Sequence, residues 1–348
     1  MTATAVEAAA ARPARGVRGL ITPVLAFCVL GALGFWLIAN FVSAPGQSSA
    51  ALVSGVNNGA LYALIALGYT LVYGIIELIN FAHGDLFMLG SVFSAFFLVS
   101  WLGFEEPGVA AVAALVLTLV LAMAFCAVIN IAAERVAYRR LRRAPKLASL
   151  ITAIGLSFVF QWIGLQWNGS APRQWPSVVT GGFSIGSVRI EYTTILVLAL
   201  TIPLLLGLTF IVQRTRQGRA MRATAQDQDA ARLMGIDVDR TIAFTFALGG
   251  GMAGAAGLLY LQSVGTTRYD AGFQLGLIAF TAAVMGGIGN LNGAVLGGLL
   301  IGIIQGLNDG APYGLGQRWS QTVVFTILIM ILVFKPSGLL GKTTTEKV

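Results

Sequence analysis

The sequence predicts an all-α, polytopic integral membrane protein with about ten membrane-crossing segments. Three observations carry this prediction. Only 10% of the 348 residues are charged, while 57% are hydrophobic and the mean hydropathy is +0.82. A soluble domain this apolar lacks the polar side chains to cover its surface. The apolar residues fall in runs of about 20, the length a bilayer core requires of a helix. The basic residues sit between the runs in four clusters: Arg12, Arg15 and Arg18; Arg135, Arg139, Arg140, Arg142, Arg143 and Lys146; Arg214, Arg216, Arg219, Arg222, Arg232 and Arg240; and Lys335, Lys342 and Lys347.

The runs are approximately 20–42, 51–73, 86–103, 108–131, 147–167, 191–212, 241–263, 273–289, 291–310 and 318–335. The first has a signal-peptide competitor, because Val42-Ser43-Ala44 loosely resembles a cleavage site. Signal h-regions are only about 7–15 residues long, so the run reads as a retained helix. Lys- and Arg-rich loops stay on the cytoplasmic side. With a cytoplasmic tail over 1–19, ten crossings put all four clusters inside and leave Arg173, Arg189, Arg268 and Arg318 outside. Both termini are then cytoplasmic, the membrane domain covers 20–341, and 342–348 is a second tail. The net charge of +8 and pI of 9.9 are explained by these loops, without nucleic-acid binding.

Two stretches read as broken or re-entrant helices, or as close helix packing. Gly74 to Gly84 carries Glu77, Asn80, His83 and Gly84 between apolar flanks. Gly272 to Gly298 holds Gly286, Gly287, Gly289, Gly293, Gly297 and Gly298. Irregular backbone at membrane depth is tolerated only where protein buries it or water lines it, so a break there points to a translocation path. Small residues also let helix backbones approach, and the 43 glycines fit that reading too. Asn80, His83 and Gly84 are thus candidates for a path or helix break, or for a satisfied structural histidine beside one. Glu77 and Asp85 are costly in lipid and should face protein, water or the cytoplasmic interface. Asn57, Asn58 and Tyr62 place polar groups on nearly one helix face, either to line a polar path or to join helices by hydrogen bonds.

No catalytic or cofactor chemistry is legible. One histidine and two cysteines, Cys28 and Cys126 inside apolar runs, make no metal cluster. Gly341-Lys342-Thr343 mimics the end of a phosphate-binding loop, but Pro336 replaces its opening glycine and a membrane span precedes it. ATP hydrolysis would have to occur on a partner. The segment 168–191, with Trp175, Pro172 and Pro176, is the longest external one and is too short to fold alone.

The polar stretch 213–240 reads as a short amphipathic helix between two spans. Met221, Ala225, Asp229 and Arg232 share one stripe, Ala230, Leu233 and Met234 lie beside it, and Gly235 supplies the stop. Such an element docks another protein or lies on anionic lipid. Its residues 222–236, RATAQDQDAARLMGI, resemble the coupling segment of permease subunits in branched-chain amino acid ABC importers, with Gln226 where a glutamate is often found. The stretch NGALYALIALGYTLVYGIIELINFAHGD at 58–85 and FTAAVMGGIGNLNGAVLGG at 280–298 agree, as do ERVAYRRLR at 134–142 and KPSGLLG at 335–341. The resemblance runs from about 50 to 341 and is to the shorter, first permease type.

It implies a second homologous permease subunit, two cytoplasmic ATPase subunits, an extracytoplasmic solute-binding protein and a place in the cell inner membrane. Ala225, Asp227, Ala231, Leu233 and Gly235 would then meet the ATPase: Leu233 as an apolar anchor, Asp227 as a cap or charge partner, the small residues allowing close approach. A urea or short-amide importer, a stand-alone secondary carrier and a membrane enzyme are the rival readings. The last lacks an assembled catalytic set.

Overall fold

The computed structural model describes residues 31, 34–77, 80–103, 109–142, 144–175 and 179–341. Both predicted tails, Cys28 and most of the run 20–42 lie outside these residues. Among those described, eight helices are long and apolar enough to cross a membrane, and two shorter apolar helices join them. In chain order the helices are α1 (Gly34–Ser43), α2 (Pro45–Ile76), α3 (Ala82–Phe96), α4 (Val109–Ala133), the single turn α5 (Arg139–Leu141), α6 (Lys146–Asn168) and α7 (Tyr192–Arg214). They continue as α8 (Arg216–Gln226), α9 (Gln228–Leu233), α10 (Val238–Val264), α11 (Ala271–Gly286), α12 (Leu291–Gly310) and α13 (Ser320–Phe334). π-Helical turns extend α3 over Phe97–Trp101 and join α4 to α5 over Glu134–Tyr138.

α2, α3 and α10 form the centre, with Leu64, Ile65, Leu86, Phe87, Ile242, Phe246 and Leu258 fully buried. α2 has 32 residues, so it is about 48 Å long and exceeds the hydrocarbon core. It runs antiparallel to α12 along a seam of glycines. A Cβ on Gly59 would stand 2.9 Å from the Leu299 Cα, and one on Gly55 2.9 Å from the Gly302 carbonyl. On the opposite side of the seam, a Cβ on Gly306 would come within 2.6 Å of the Ala51 carbonyl oxygen. α4, α6, α7 and α13 surround this centre and leave apolar faces outward, among them Val120, Phe158, Leu206 and Val333.

The polar face of α2 bonds to two neighbouring helices. Asn57 Nδ2 donates to Ser263 Oγ of α10 at 2.7 Å, and Tyr62 Oη donates to Gln305 Oε1 of α12 at 2.7 Å. Both are interhelical bonds, to different neighbours. Asn58 lies half-buried between them.

The segment 168–191 departs from its expected loop. Strands β2 (Gly182–Ile185) and β3 (Val188–Glu191) form an antiparallel hairpin, with Phe183 opposite Ile190 and Ile185 opposite Val188. The alternation Phe183, Ile185, Val188, Ile190 around Gly186-Ser187, with Gly186 at φ 62°, is a hairpin signal. Strand β1 (Arg173–Gln174) pairs with β4 (Thr266–Thr267), fastening this segment to the α10–α11 connection.

Candidate coupling surface and helix break

The break between α2 and α3 is a turn between two helices. Glu77 caps α2 at φ 52°, the one non-glycine with positive φ among the described residues, and its N–H donates to the Tyr73 carbonyl at 2.8 Å. Asn80 lies in the turn. His83, Gly84 and Asp85 lie in the first turn of α3 and are all buried. The His83 ring sits where Gly68 has no side chain and stands edge-on to Tyr69, with centroids 4.9 Å apart. Neither ring nitrogen makes a hydrogen bond of good geometry.

Asp85 meets the requirement for a protein environment. Ser157 Oγ donates to it, Gln161 Nε2 donates at 3.2 Å, and both donors belong to α6. A Cβ on Gly272 would lie 2.9 Å from Asp85 Oδ1, so the carboxylate sits against the first turn of α11, whose N-terminal partial charge favours an anion. Gly84 and Gly276 make the same close approach, with a Cβ on Gly276 2.8 Å from the Gly84 Cα.

α11 has 16 residues, about 24 Å, and is shorter than a full crossing. Its end is packed rather than open. Gly286 faces the Gly293 carbonyl, while Gly287 and Gly289, at φ 104° and 89°, turn the chain into α12. The C-terminal strap lies against this turn: Leu339 N–H donates to the Met285 carbonyl at 2.8 Å and Leu340 N–H to the Gly286 carbonyl at 3.0 Å. Of the glycine-rich stretch, Gly286 thus has a packing role and Gly287 and Gly289 a turn role.

The stretch 213–240 is built at the arginine-rich end of the bundle. The stripe expected to run through one helix is interrupted at Asp227, whose backbone is extended (φ −158°, ψ 113°). Its carboxylate accepts from the N–H groups of Asp229 and Ala230 at 2.8 and 2.9 Å, so it ends α8 and caps α9. Thr215 caps α8 through the Gly218 N–H at 3.1 Å, and Asp237 caps α10 through the Arg240 N–H at 3.0 Å. At the end of α9, Gly235 N–H donates to the Arg232 carbonyl and Ile236 N–H to the Ala231 carbonyl, both at 3.0 Å. This is a Schellman stop with glycine at φ 80°.

Gly218, Met221, Thr224 and Ala231 face the helix bundle. Arg222 donates to the Val212 carbonyl and holds α8 to the end of α7. Asp227, Leu233 and Gly235 are exposed, Ala225 is exposed to an open space between α8 and the bundle, and Ala231 is 3% exposed. The Ala231 side chain therefore packs α9 against the bundle. Leu233 and Met234 are 88% and 83% exposed. Behind α8 an open cavity of about 560 Å³ is bounded by Thr70, Gly74, Met221, Arg222, Gly289 and Asn290.

Sequence reading passed over the ion pairs beside this segment. Arg142 Nη1 donates to Asp239 Oδ1 at 2.6 Å, Arg142 also pairs with Glu134, and Arg139 pairs with Asp239. The clustered arginines were visible, but Asp239, the partner shared by Arg139 and Arg142, lies about 100 residues away in α10.

Residues 51–333 match the family described as branched-chain amino acid transport system permease component. The chain is 40% identical over 304 residues to the high-affinity branched-chain amino acid transport system permease protein BraD of Pseudomonas aeruginosa, covering 85% of this chain and 97% of BraD. It is 39% identical to LivH of Escherichia coli, covering 85% and 96% of the two chains. A more distant likeness, 30% over half of each chain, is to the xylose transport system permease protein XylH of Escherichia coli. No solved structure matches it significantly. Matched through its central glycine seam and through both ends of its arginine-rich segment, the chain belongs to the branched-chain amino acid transport permease family.

Proposed function

We propose that this chain is the membrane-spanning permease subunit of an ATP-driven importer for branched-chain or other aliphatic amino acids. A solute-binding protein delivers the substrate to the face carrying the β2–β3 hairpin. Two ATPase subunits bind α8 and α9, and a second, homologous permease completes the path. The arginine-rich end is cytoplasmic, with both termini on that side.

The observation that carries the reading is the pair Leu233 and Met234. Both side chains stand almost fully exposed on a capped, six-residue helix outside the apolar spans. A helix that short does not hold itself together, and exposed apolar anchors on a rigid frame are what a protein partner buries. Asp227 positions that pair by starting α9, and Gly235 by stopping it. Closure of the ATPases on ATP displaces the segment, and α7 and α10 on either side pass the movement to the centre.

The reading also accounts for the scarcity of charge in the membrane. Asp85 is already occupied by Ser157, Gln161 and the start of α11, so this carboxylate is not free for a self-contained carrier to use. Selection of substrate then rests with the binding protein. The sugar permease among the similar chains fits a scaffold of this kind serving more than one solute class.

The test is purification of the tagged chain in mild detergent from its native membranes, with identification of co-eluting subunits. Two ATPases and a second permease are expected. Reversal of charge at Asp227, or Gly235→Pro, should abolish uptake of labelled leucine while the chain still inserts. A chain that elutes alone even after crosslinking in the intact membrane, or normal uptake by both variants, overturns the assignment.

A further inference from the structure

A line of polar contacts leaves the coupling segment and ends at the α2–α3 break, and transport of solute does not by itself account for it. The line starts two residues beyond Asp237, the cap that closes the segment. Asp239, on the first turn of α10, accepts from Arg142 at 2.6 Å and from Arg139. Arg142, whose side chain is 11% exposed, also pairs with Glu134, which is 1% exposed. A buried ion pair gains little net stability, because removing both charges from water costs about as much as their attraction returns. Its presence therefore needs a reason other than holding two helices together.

Glu134 opens the π-helical turn Glu134–Tyr138, a helix defect frequent at functional sites. Tyr138 closes that turn. It is 1% exposed and lies against Phe246 of α10 with ring centroids 5.6 Å apart. Its hydroxyl donates to Asn80 Oδ1 at 2.7 Å, across the gap to the α2–α3 connection. Asn80 is three residues before His83, the ring that fills the notch of Gly68. About one turn further into α4, Asn130 Nδ2 donates to the Phe246 carbonyl at 2.7 Å. The stretch from Asn130 to Arg142 is thus fastened to the first third of α10 at two positions, Asp239 and Phe246, and its tyrosine reaches the break.

We propose that Asp239, Arg142, Glu134 and Tyr138 are positioning residues that transmit displacement of the coupling segment to the α2–α3 break. The inference rests on the reading of 213–240 as the ATPase contact. A push on α9 reaches α10 through the Asp237 cap. The ion pairs oblige the π-helical turn to follow α10, and Tyr138 draws Asn80 and the start of α3 with it. His83, Gly84 and Asp85 ride on that first turn, against Gly68, Gly276 and Gly272.

The test uses the whole transporter in vesicles, with labelled leucine uptake and ATP hydrolysis measured on the same preparation. Tyr138→Phe removes only the hydroxyl, and Asp239→Asn removes only the charge. Each should lower the solute moved per ATP hydrolysed by at least about three-fold. Because the two act in series, the double variant should be no worse than the more damaged single variant. Additive losses, or an unchanged ratio in both single variants, overturn the linkage. If either substitution prevents insertion, Arg142→Lys keeps the charge while losing the paired amino groups, and the same ratio is read. A wild-type chain that does not bind the ATPases overturns the coupling reading itself. Bound ATPases with unchanged ratios overturn only this linkage.

Discussion

The glycine seam between α2 and α12 and the arginine-rich segment of α8 and α9 solve opposite problems. In the seam, backbones approach so closely that a single added carbon has no room, and Tyr62 of α2 bonds to Gln305 of α12 across it. In the segment, side chains do the framing: Thr215, Asp227 and Asp237 start three helices in turn and Gly235 stops one. The frame then leaves Leu233 and Met234 uncovered. The seam is closed within this chain, whereas the segment leaves apolar side chains exposed, which the proposed function assigns to a partner. Mutations in the first region should therefore damage the permease, and mutations of the exposed side chains in the second should damage only what it does with others.

The largest effect is expected in the seam. Gly302→Val would drive its side chain into the backbone of Gly59 and the Gly55 carbonyl. Overpacking typically costs about 1–3 kcal/mol, and here the neighbour is rigid backbone, so the effect lies at the upper end. Loss of the folded band in detergent size-exclusion chromatography is the readout. Gly207→Val on α7 is the contrast, since nothing lies within 4 Å of a Cβ there, and it should elute as the parent does. Equal behaviour of the two would remove the distinction between a packed seam and an open helix face.

Next in size is Leu233→Ala. An anchor that fills a partner pocket is worth about 2 kcal/mol or more, so affinity for the ATPase subunits should fall at least ten-fold in a binding titration. The thermal unfolding midpoint of the isolated permease should not move, because the side chain touches nothing in this chain. A drop in midpoint without a drop in affinity would transfer Leu233 from the second region to the first. Ala231→Leu sharpens the same point from the other side: it should unseat α9 and lower the midpoint first, since Ala231 is buried against the bundle.

How far each region was legible follows from the range of its interactions. The spans, their approximate number and the basic clusters could be read because hydropathy and charge are properties of local sequence. The stretch 213–240 was read as one short amphipathic helix, whereas it forms two, broken at Asp227. A helix pattern carried through Asp227 cannot register that an aspartate has captured the next two N–H groups and reset the phase. The β2–β3 hairpin was missed although its alternation lies in plain view, since four-residue strands barely rise above the turns around them. The bonds of Asn57 to Ser263, Tyr62 to Gln305 and Tyr138 to Asn80 were out of reach, because each joins residues that only the fold brings together.

The smallest effects distinguish a cap from a seam bond. Asp227→Ala removes two acceptor contacts at the start of α9, and loss of a cap costs about 1 kcal/mol of local helix. Hydrogen exchange over 228–233 should rise by roughly five-fold, with no change in α2 or α12. Tyr62→Phe removes the bond to Gln305, and interhelical bonds of this kind average about 0.6 kcal/mol in a membrane. Its mark should be a slight fall in the unfolding midpoint and no change in exchange at α9. If instead Tyr62→Phe lowered leucine uptake many-fold while the midpoint held, the tyrosine would belong to the translocation path. The α2 face would then combine joining and lining, with the hydroxyl exchanging Gln305 for solute as the helices part.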